Sequence, residues 1–293
     1  MSLADASHKP LPKLPPRSAA SHKGDYGRVL VVGGSRGMAG AAALAGKAAL
    51  RSGAGLVTLA VPQSIQATVA SFEPSYMTLS FGAAQDDSLR GEDVDDVLQA
   101  ADQMTAVALG PGLGTASETA GLVHELYGRV AQPMVVDADG LNVLASDLDQ
   151  IQSPVAPRIL TPHPGEFQRL AGEKCAADLA ERAEQAAEIC RRDSTGQTTV
   201  VLKGHQTIVT DGQRYAVNTT GNPGMATGGT GDCLTGVIVA LLAQGLSSWE
   251  AARLGVYIHG MAGDLAAAQL GQVSLIASDL IKFLSLAFQK HVG

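Results

Sequence analysis

The chain is short of cysteine, of aromatic rings and of positive charge, and each shortage removes a class of function. Its three cysteines, Cys175, Cys190 and Cys233, show no ligand spacing, which argues against a disulfide framework and against a zinc site. Aromatic residues make up 4% of the chain, so the core has to close through small and branched side chains rather than large rings. Formal net charge is −7, the wrong sign for a nucleic-acid surface. No apolar run is long enough to span a bilayer and there is no signal-peptide pattern, so the expected location is the cytoplasm. What is present is 45% hydrophobic residues and 34 glycines over 293 residues, enough for one large domain.

Residues 1–23 are proline-rich and basic and show no periodicity; they are expected to form a flexible tail or a strap over a neighbouring surface. From residue 24 short apolar runs alternate with helical stretches, without a linker or internal repeat, which predicts one domain over 24–293. The pattern predicts strands at 28–32, 56–61, 76–80, 106–109, 134–136, 158–160, 198–202, 206–210 and 214–217. It predicts helices at 41–52, 93–104, 116–129, 140–145, 165–171, 176–192, 231–243, 248–270 and 277–289. Such alternation implies an α/β fold with a mostly parallel sheet and helices on both faces. Asp211-Gly212 predicts a hairpin, hence an antiparallel sheet edge.

Ligands of open α/β sheets sit at the carboxyl ends of strands. Five informative loops fall there: Gly33-Gly34-Ser35-Arg36-Gly37, Gly110-Pro111-Gly112-Leu113-Gly114, Asp137-Ala138-Asp139-Gly140-Leu141-Asn142, Thr161-Pro162-His163-Pro164-Gly165-Glu166 and Lys203-Gly204-His205-Gln206-Thr207. The richest segment is Asn222-Pro223-Gly224-Met225-Ala226-Thr227-Gly228-Gly229-Thr230-Gly231-Asp232, followed at once by an apolar run. Its glycines let backbone N–H groups approach a ligand, and a helix start adds partial positive charge, so Gly228, Gly229, Thr230 and Gly231 form a candidate anion hole. A carboxylate at that mouth repels phosphate, so Asp232 reads as a base aimed at a hydroxyl. The plain alternatives stand beside these readings. Asp232 is an N-cap, His163 braces a turn between prolines, Lys203 is a solvated strand-end charge, Asp137 and Asp139 cap a helix, and Asp25 and Asp264 are structural.

Three motifs lead elsewhere and fail on context. Residues 33–37 fit the G-x-S-x-G elbow of an esterase, but they follow the first strand and no acid-then-His order follows near the C-terminus. The Rossmann glycine spacing is absent, and no acid ends the second strand. Gly46-Lys47 precedes Ala48 inside a helical run, so it is no Walker A loop.

The segments 23–35, Gly40-Ala41, 49–58, 110–114, 137–142, 161–166, Lys203-Gly204 and 222–232 resemble, in order and over about residues 23–290, the ADP/ATP-dependent NAD(P)H-hydrate dehydratases of the ribokinase-like superfamily. Met38-Ala39 departs from the pattern, because that family often has an aromatic and then Pro or Thr there. The resemblance implies a ribokinase-like three-layer sandwich. It implies that ADP or ATP, with Mg²⁺, phosphorylates the ring hydroxyl of hydrated NADH or NADPH, after which phosphate leaves. Asp232 is then the catalytic base. Ala41, Gly112, Gly114 and His163 face the hydrated dinucleotide with Asp232, while Lys203, Gly204, His205, Gln206, Thr207 and Gly231 face the nucleotide. The resemblance further implies that Glu166 organises Mg²⁺ through water and that the assembly is a homotetramer. Many relatives carry a fused epimerase domain ahead of this one, for which 1–23 is expected to leave no room. Two rivals remain: a vitamin-precursor kinase of the same superfamily, and a non-catalytic nucleotide-binding regulator, which needs no Asp232.

Overall fold

The period-two alternation of buried side chains along each strand sets the architecture. In the computed structural model, which describes residues 3–292, Val29 and Val31 point into one apolar layer, while Leu30 and Val32 point into the other. Ten strands form one sheet: β1 (Ala4–Asp5), β2 (Arg28–Val32), β3 (Leu56–Pro62), β4 (Met77–Phe81), β5 (Ala106–Leu109), β6 (Met134–Val136), β7 (Arg158–Leu160), β8 (Thr198–Leu202), β9 (Ile208–Thr210) and β10 (Arg214–Val217). Their order is β1-β10-β9-β8-β7-β6-β5-β2-β3-β4. Neighbours are parallel except at β9, which runs antiparallel to β8 and β10.

The helices are α1 (Ala39–Arg51), α2 (Gln66–Phe72), α3 (Val94–Ala101), α4 (Ser117–Arg129), α5 (Asp139–Leu144), α6 (Pro164–Ala171), α7 (Leu179–Arg191), α8 (Thr230–Ala243), α9 (Ser248–Leu270) and α10 (Ala277–Val292). Helices α1, α2, α8, α9 and α10 cover one face of the sheet, and α3 to α7 cover the other. Among the described residues no helix is long and apolar enough to cross a membrane. Helix α8 packs on α1 through small residues: a Cβ on Gly236 would lie 2.8 Å from the Ala48 Cβ. That close approach seats α8 across the middle strands.

Register then gathers the loops. Val32 pairs with Leu109, Leu109 with Val136, and Val136 with Leu160, so β2, β5, β6 and β7 all end at one rim. Two elements escape the sequence pattern. Helix α2 buries only Val69, too little for a helical stripe to show. Strand β1 is two residues long and lies in the proline-rich segment, where Ala4 N–H donates to Gln213 O (3.1 Å) and Ala6 N–H to Tyr215 O (2.7 Å). Arg253 continues the attachment by donating to the carbonyls of Lys9 (2.7 Å) and Pro10 (3.3 Å). The 208–217 hairpin is present, and β1 closes the edge beyond it.

Candidate active site

The glycine-rich segment leads into α8 through Gly229, whose φ of 90° lies in the left-handed region that disfavours side chains. Thr230 Oγ1 donates to the carbonyls of Met225 (2.9 Å) and Thr227 (3.0 Å), and Asn222 Oδ1 accepts from Gly224 N–H (3.0 Å). The loop is thus held by its own chain. The N–H groups of Gly228, Gly229, Thr230 and Gly231 have no partner among the described residues. They are the orphan donors of a helix start. Asp232 is the third residue of α8 and makes no capping bond, so it is not the N-cap.

The ends of β6, β7 and β8 place a charged cluster beneath that turn. Lys203 Nζ donates to Asp137 Oδ1 at 2.6 Å and lies 3.8 Å from Glu166 Oε2. Thr235 Oγ1 donates to Asp137 Oδ2 at 2.7 Å. The Asp137 side chain is 1% exposed and that of Lys203 18%, so Lys203 is a partly buried ion-pair member rather than a solvated strand-end charge. A Cβ on Gly231 would stand 3.4 Å from Lys203 Nζ and 3.7 Å from Asp137 Oδ2, which seats the first turn of α8 directly on the pair.

The two aspartates differ. Burial opposes the charge of Asp137, but Lys203 and the Thr235 hydroxyl outweigh it and hold its carboxyl below the ordinary range. Burial, then the Asp137 charge, pushes Asp232 up to about 7, with Lys203 only partly offsetting. Burial likewise raises Glu166 to about 7. For Lys203, burial is outweighed by Asp137 and Glu166, and its pKa rises.

On one side of this turn lies a cavity of about 660 Å³. Lys203, Gly204, His205, Gln206, Thr207 and Gly231, the six positions assigned to a nucleotide, all line it. Asn222 and Pro223 of the glycine-rich segment line it as well, as do residues 218–221 and the α9 residues Val256, His259 and Gly260, to which the sequence analysis assigned no binding role. A usable signal was present in α9: His259, Gly260, Gly263 and Asp264 interrupt an apolar helix at i, i+4 spacing. His259 Nε2 lies 2.9 Å from Thr230 O, and a carbonyl only accepts, so this nitrogen carries the proton. Burial pushes the imidazole down to about 4, which keeps it neutral while it tethers α9 to the start of α8.

Known proteins resemble this chain in sequence and fold. A family model described as NAD(P)H-hydrate dehydratase matches residues 29–285. The chain belongs to the NAD(P)H-hydrate dehydratase family. It is 47% identical over 274 residues to the bifunctional NAD(P)H-hydrate repair enzyme Nnr of Moorella thermoacetica, covering 93% of this chain and 51% of that protein. The chain spans about half the length of the curated relatives it matches. The structure of the ADP/ATP-dependent NAD(P)H-hydrate dehydratase from Bacillus subtilis, co-crystallized with ATP/Mg²⁺, has a TM-score of 0.78 at 31% identity and covers 95% of this chain and 94% of that one. A ribokinase-like superfamily protein of Enterococcus faecalis has a TM-score of 0.79 at 27% identity, with 95% and 92% covered. The fold is ribokinase-like.

The remaining positions of the NAD(P)H-hydrate dehydratase pattern lie in the connections that follow β2, β5 and β7. A Cβ on Gly112, whose φ is 65°, would come 2.9 Å from the Ala41 Cβ. Ser35 Oγ donates to Gly112 O (2.8 Å), making it a strut between two loops rather than a nucleophile. Asp139 Oδ2 accepts Gly114 N–H (2.9 Å), so this acid ties two loops together. Met38, where the chain departs from the family pattern, is exposed beside Gly112 and Gly114.

His163 braces its turn as the plain reading held. Its Nδ1 accepts Gly165 N–H (2.9 Å) and Glu166 N–H (3.3 Å), and Glu166 Oε2 accepts His163 N–H (2.8 Å). The ring is nevertheless 49% exposed at the rim, with its pKa lowered by burial and by Lys203. The Glu166 side chain is only 5% exposed. Among the described residues no three His, Cys, Asp or Glu side chains group to hold a metal.

Proposed function

We propose that the protein uses ADP or ATP to dehydrate hydrated NADH or NADPH, returning the reduced nicotinamide. One observation carries this reading: the first turn of α8 presents unpartnered N–H groups and an unbonded carboxylate raised to about 7, beside a cavity lined by Lys203, Gly204, His205, Gln206, Thr207 and Gly231. Family membership supports the dinucleotide, and the ATP/Mg²⁺ co-crystal of the Bacillus relative supports the nucleotide.

In this reading the nucleotide occupies the cavity and its phosphates run over 203–207 to the N–H groups of Gly228 to Gly231. The hydrated dinucleotide lies against Ala41, Gly112, Gly114 and His163, its ring hydroxyl at Asp232. Asp232 takes the hydroxyl proton as the oxygen bonds to the terminal phosphorus and the phosphoanhydride bond breaks. A base whose pKa lies near neutrality suits that step better than an ordinary carboxylate. Donors fixed before the reaction hold the transferring group, each worth roughly 3–4 kcal/mol. Phosphate then leaves with the carbon–oxygen electron pair, the neighbouring ring carbon releases a proton, and the double bond re-forms. Mg²⁺ bound with the nucleotide would neutralise phosphate charge, and Glu166 would be the carboxylate that orders its water shell.

Incubation with hydrated NADH or NADPH, Mg²⁺ and ADP or ATP is expected to restore the absorbance of the reduced nicotinamide, one nucleotide being consumed per ring. Nucleotide consumption without restored absorbance would overturn the reading.

A further inference from the structure

The cavity wall formed by 218–226 contains no regular structure beyond a 3-10 turn at Pro223–Met225, and contacts from outside add to its internal bonds in setting its shape. Helix α9 supplies these contacts. Thr220 Oγ1 donates to Tyr257 O (3.0 Å), and Asn218 Nδ2 donates to Val256 O (3.4 Å). Two glycines on α9 make room for the loop: a Cβ on Gly260 would lie 2.7 Å from the Thr220 carbonyl carbon, and one on Gly263 would lie 2.7 Å from Met225 Cγ. Between these contacts stands Asp264. Its Oδ2 accepts Gly221 N–H (2.9 Å) and its Oδ1 accepts Asn222 Nδ2 (2.9 Å).

Gly221 and Asn222 line the cavity, whereas Asp264 does not. A charged acceptor taking one donor from each of two consecutive residues fixes the orientation of the segment between them, and charge-assisted bonds are the stronger kind. Gly221 sits at φ 104°, a backbone setting that the clamp helps to hold. The constraint also runs onward. Asn222 Oδ1 accepts Gly224 N–H and starts the turn whose Met225 carbonyl accepts the Thr230 hydroxyl at the helix start.

We propose that Asp264 is a positioning residue for the nucleotide, shaping the cavity wall through Gly221 and Asn222 without touching the ligand. The proposal rests on the cavity being the nucleotide site. Its effect falls on nucleotide affinity, because the groups on the dinucleotide side take no hydrogen bond from this loop.

The first measurement is hydrogen exchange of the unaltered protein with and without ADP or ATP and Mg²⁺. Protection of 203–207 and 218–226 supports the cavity assignment; no protection there removes that assignment and the proposal with it. The second measurement compares variants. Asp264→Ala is expected to raise the nucleotide Kd and KM on the order of tenfold, leaving kcat and the dinucleotide KM within about twofold. Asp264→Asn keeps one acceptor and opposes two amide donors, so it should fall between. The exchanged pair Asp264→Asn with Asn222→Asp keeps an acceptor for Gly221 N–H and rebuilds the side-chain bond with donor and acceptor reversed, and should return nucleotide affinity toward that of the unaltered protein. If the cavity is protected but Asp264→Ala lowers only thermal stability, the residue is merely structural and the proposal fails while the cavity assignment stands. An exchanged pair that binds no better than the weaker single variant also overturns it.

Discussion

Strand β6 ends in Asp137 and helix α8 opens on Asp232, and both carboxylates feel the ammonium group of Lys203. The first is buried deeper, yet its pKa is the one that falls. It receives Lys203 at 2.6 Å and the Thr235 hydroxyl at 2.7 Å, which together outweigh burial. Asp232 is partly buried with no donor of its own and has the Asp137 charge for a neighbour, so its charged form is disfavoured. Direct contact with a cation, backed by a hydroxyl donor, matters more than depth in separating a scaffold acid from a reactive one.

The largest effect expected from breaking this contrast is at Asp232. Asp232→Asn should lower kcat by about 10²–10⁴-fold while the protein stays folded. In the unaltered protein kcat/KM should climb with pH through about 7, as the base form appears. Stability should move the other way. A folded pKa of about 7 against an ordinary 3.8 means the native state binds the extra proton between these values, so stability falls as pH rises across that window. Thermal melts of Asp232→Asn should lose that part of the slope and lie above those of the unaltered protein at neutral pH. Near-normal turnover in the variant would remove Asp232 as base.

A second break targets the paired side. Were Lys203 a solvated strand-end charge that meets the nucleotide, Lys203→Ala would weaken nucleotide binding and leave stability alone. With Lys203 bonded to a buried Asp137, the expectation changes: about 3–5 kcal/mol of stability should also be lost, because an uncompensated charge remains inside. Denaturant titration decides between them, and an unchanged midpoint would show that Asp137 does not depend on its partner. The mildest change sharpens the division between the nucleotide and dinucleotide sides. His163→Ala should raise the KM for the hydrated dinucleotide several-fold, spare that for ADP, and cost roughly 1 kcal/mol through the lost cap on α6. An increase confined to ADP would exchange the two sides.

Much of this was legible along the chain. The strands at 28–32, 106–109, 134–136, 158–160, 198–202 and 214–217 appear at the expected bounds, because buried apolar runs stopped by Gly, Pro or charge leave little choice. Helix α9 does too, its start marked by the Ser247–Glu250 capping box. Helix α7 begins three residues later than its apolar pattern, at the Asp178 cap. The two-residue β1 has no pattern of its own to read and exists because β10 offers an unpaired edge.

The site divides in the same way. The sequence by itself determined the glycine-rich turn, its orphan donors and Asp232 beside them, because a helix start and its caps are settled within a few residues. Only the tertiary structure decided which acid is neutralised and which is left reactive. Lys203 is 66 residues from Asp137, Thr235 is 98 from it, and Asp264 is 43 from Gly221. Those partners meet through strand order and helix packing. Electrostatic and hydrogen-bond energies depend on distance in space and on burial, neither of which is written in the local pattern of the chain.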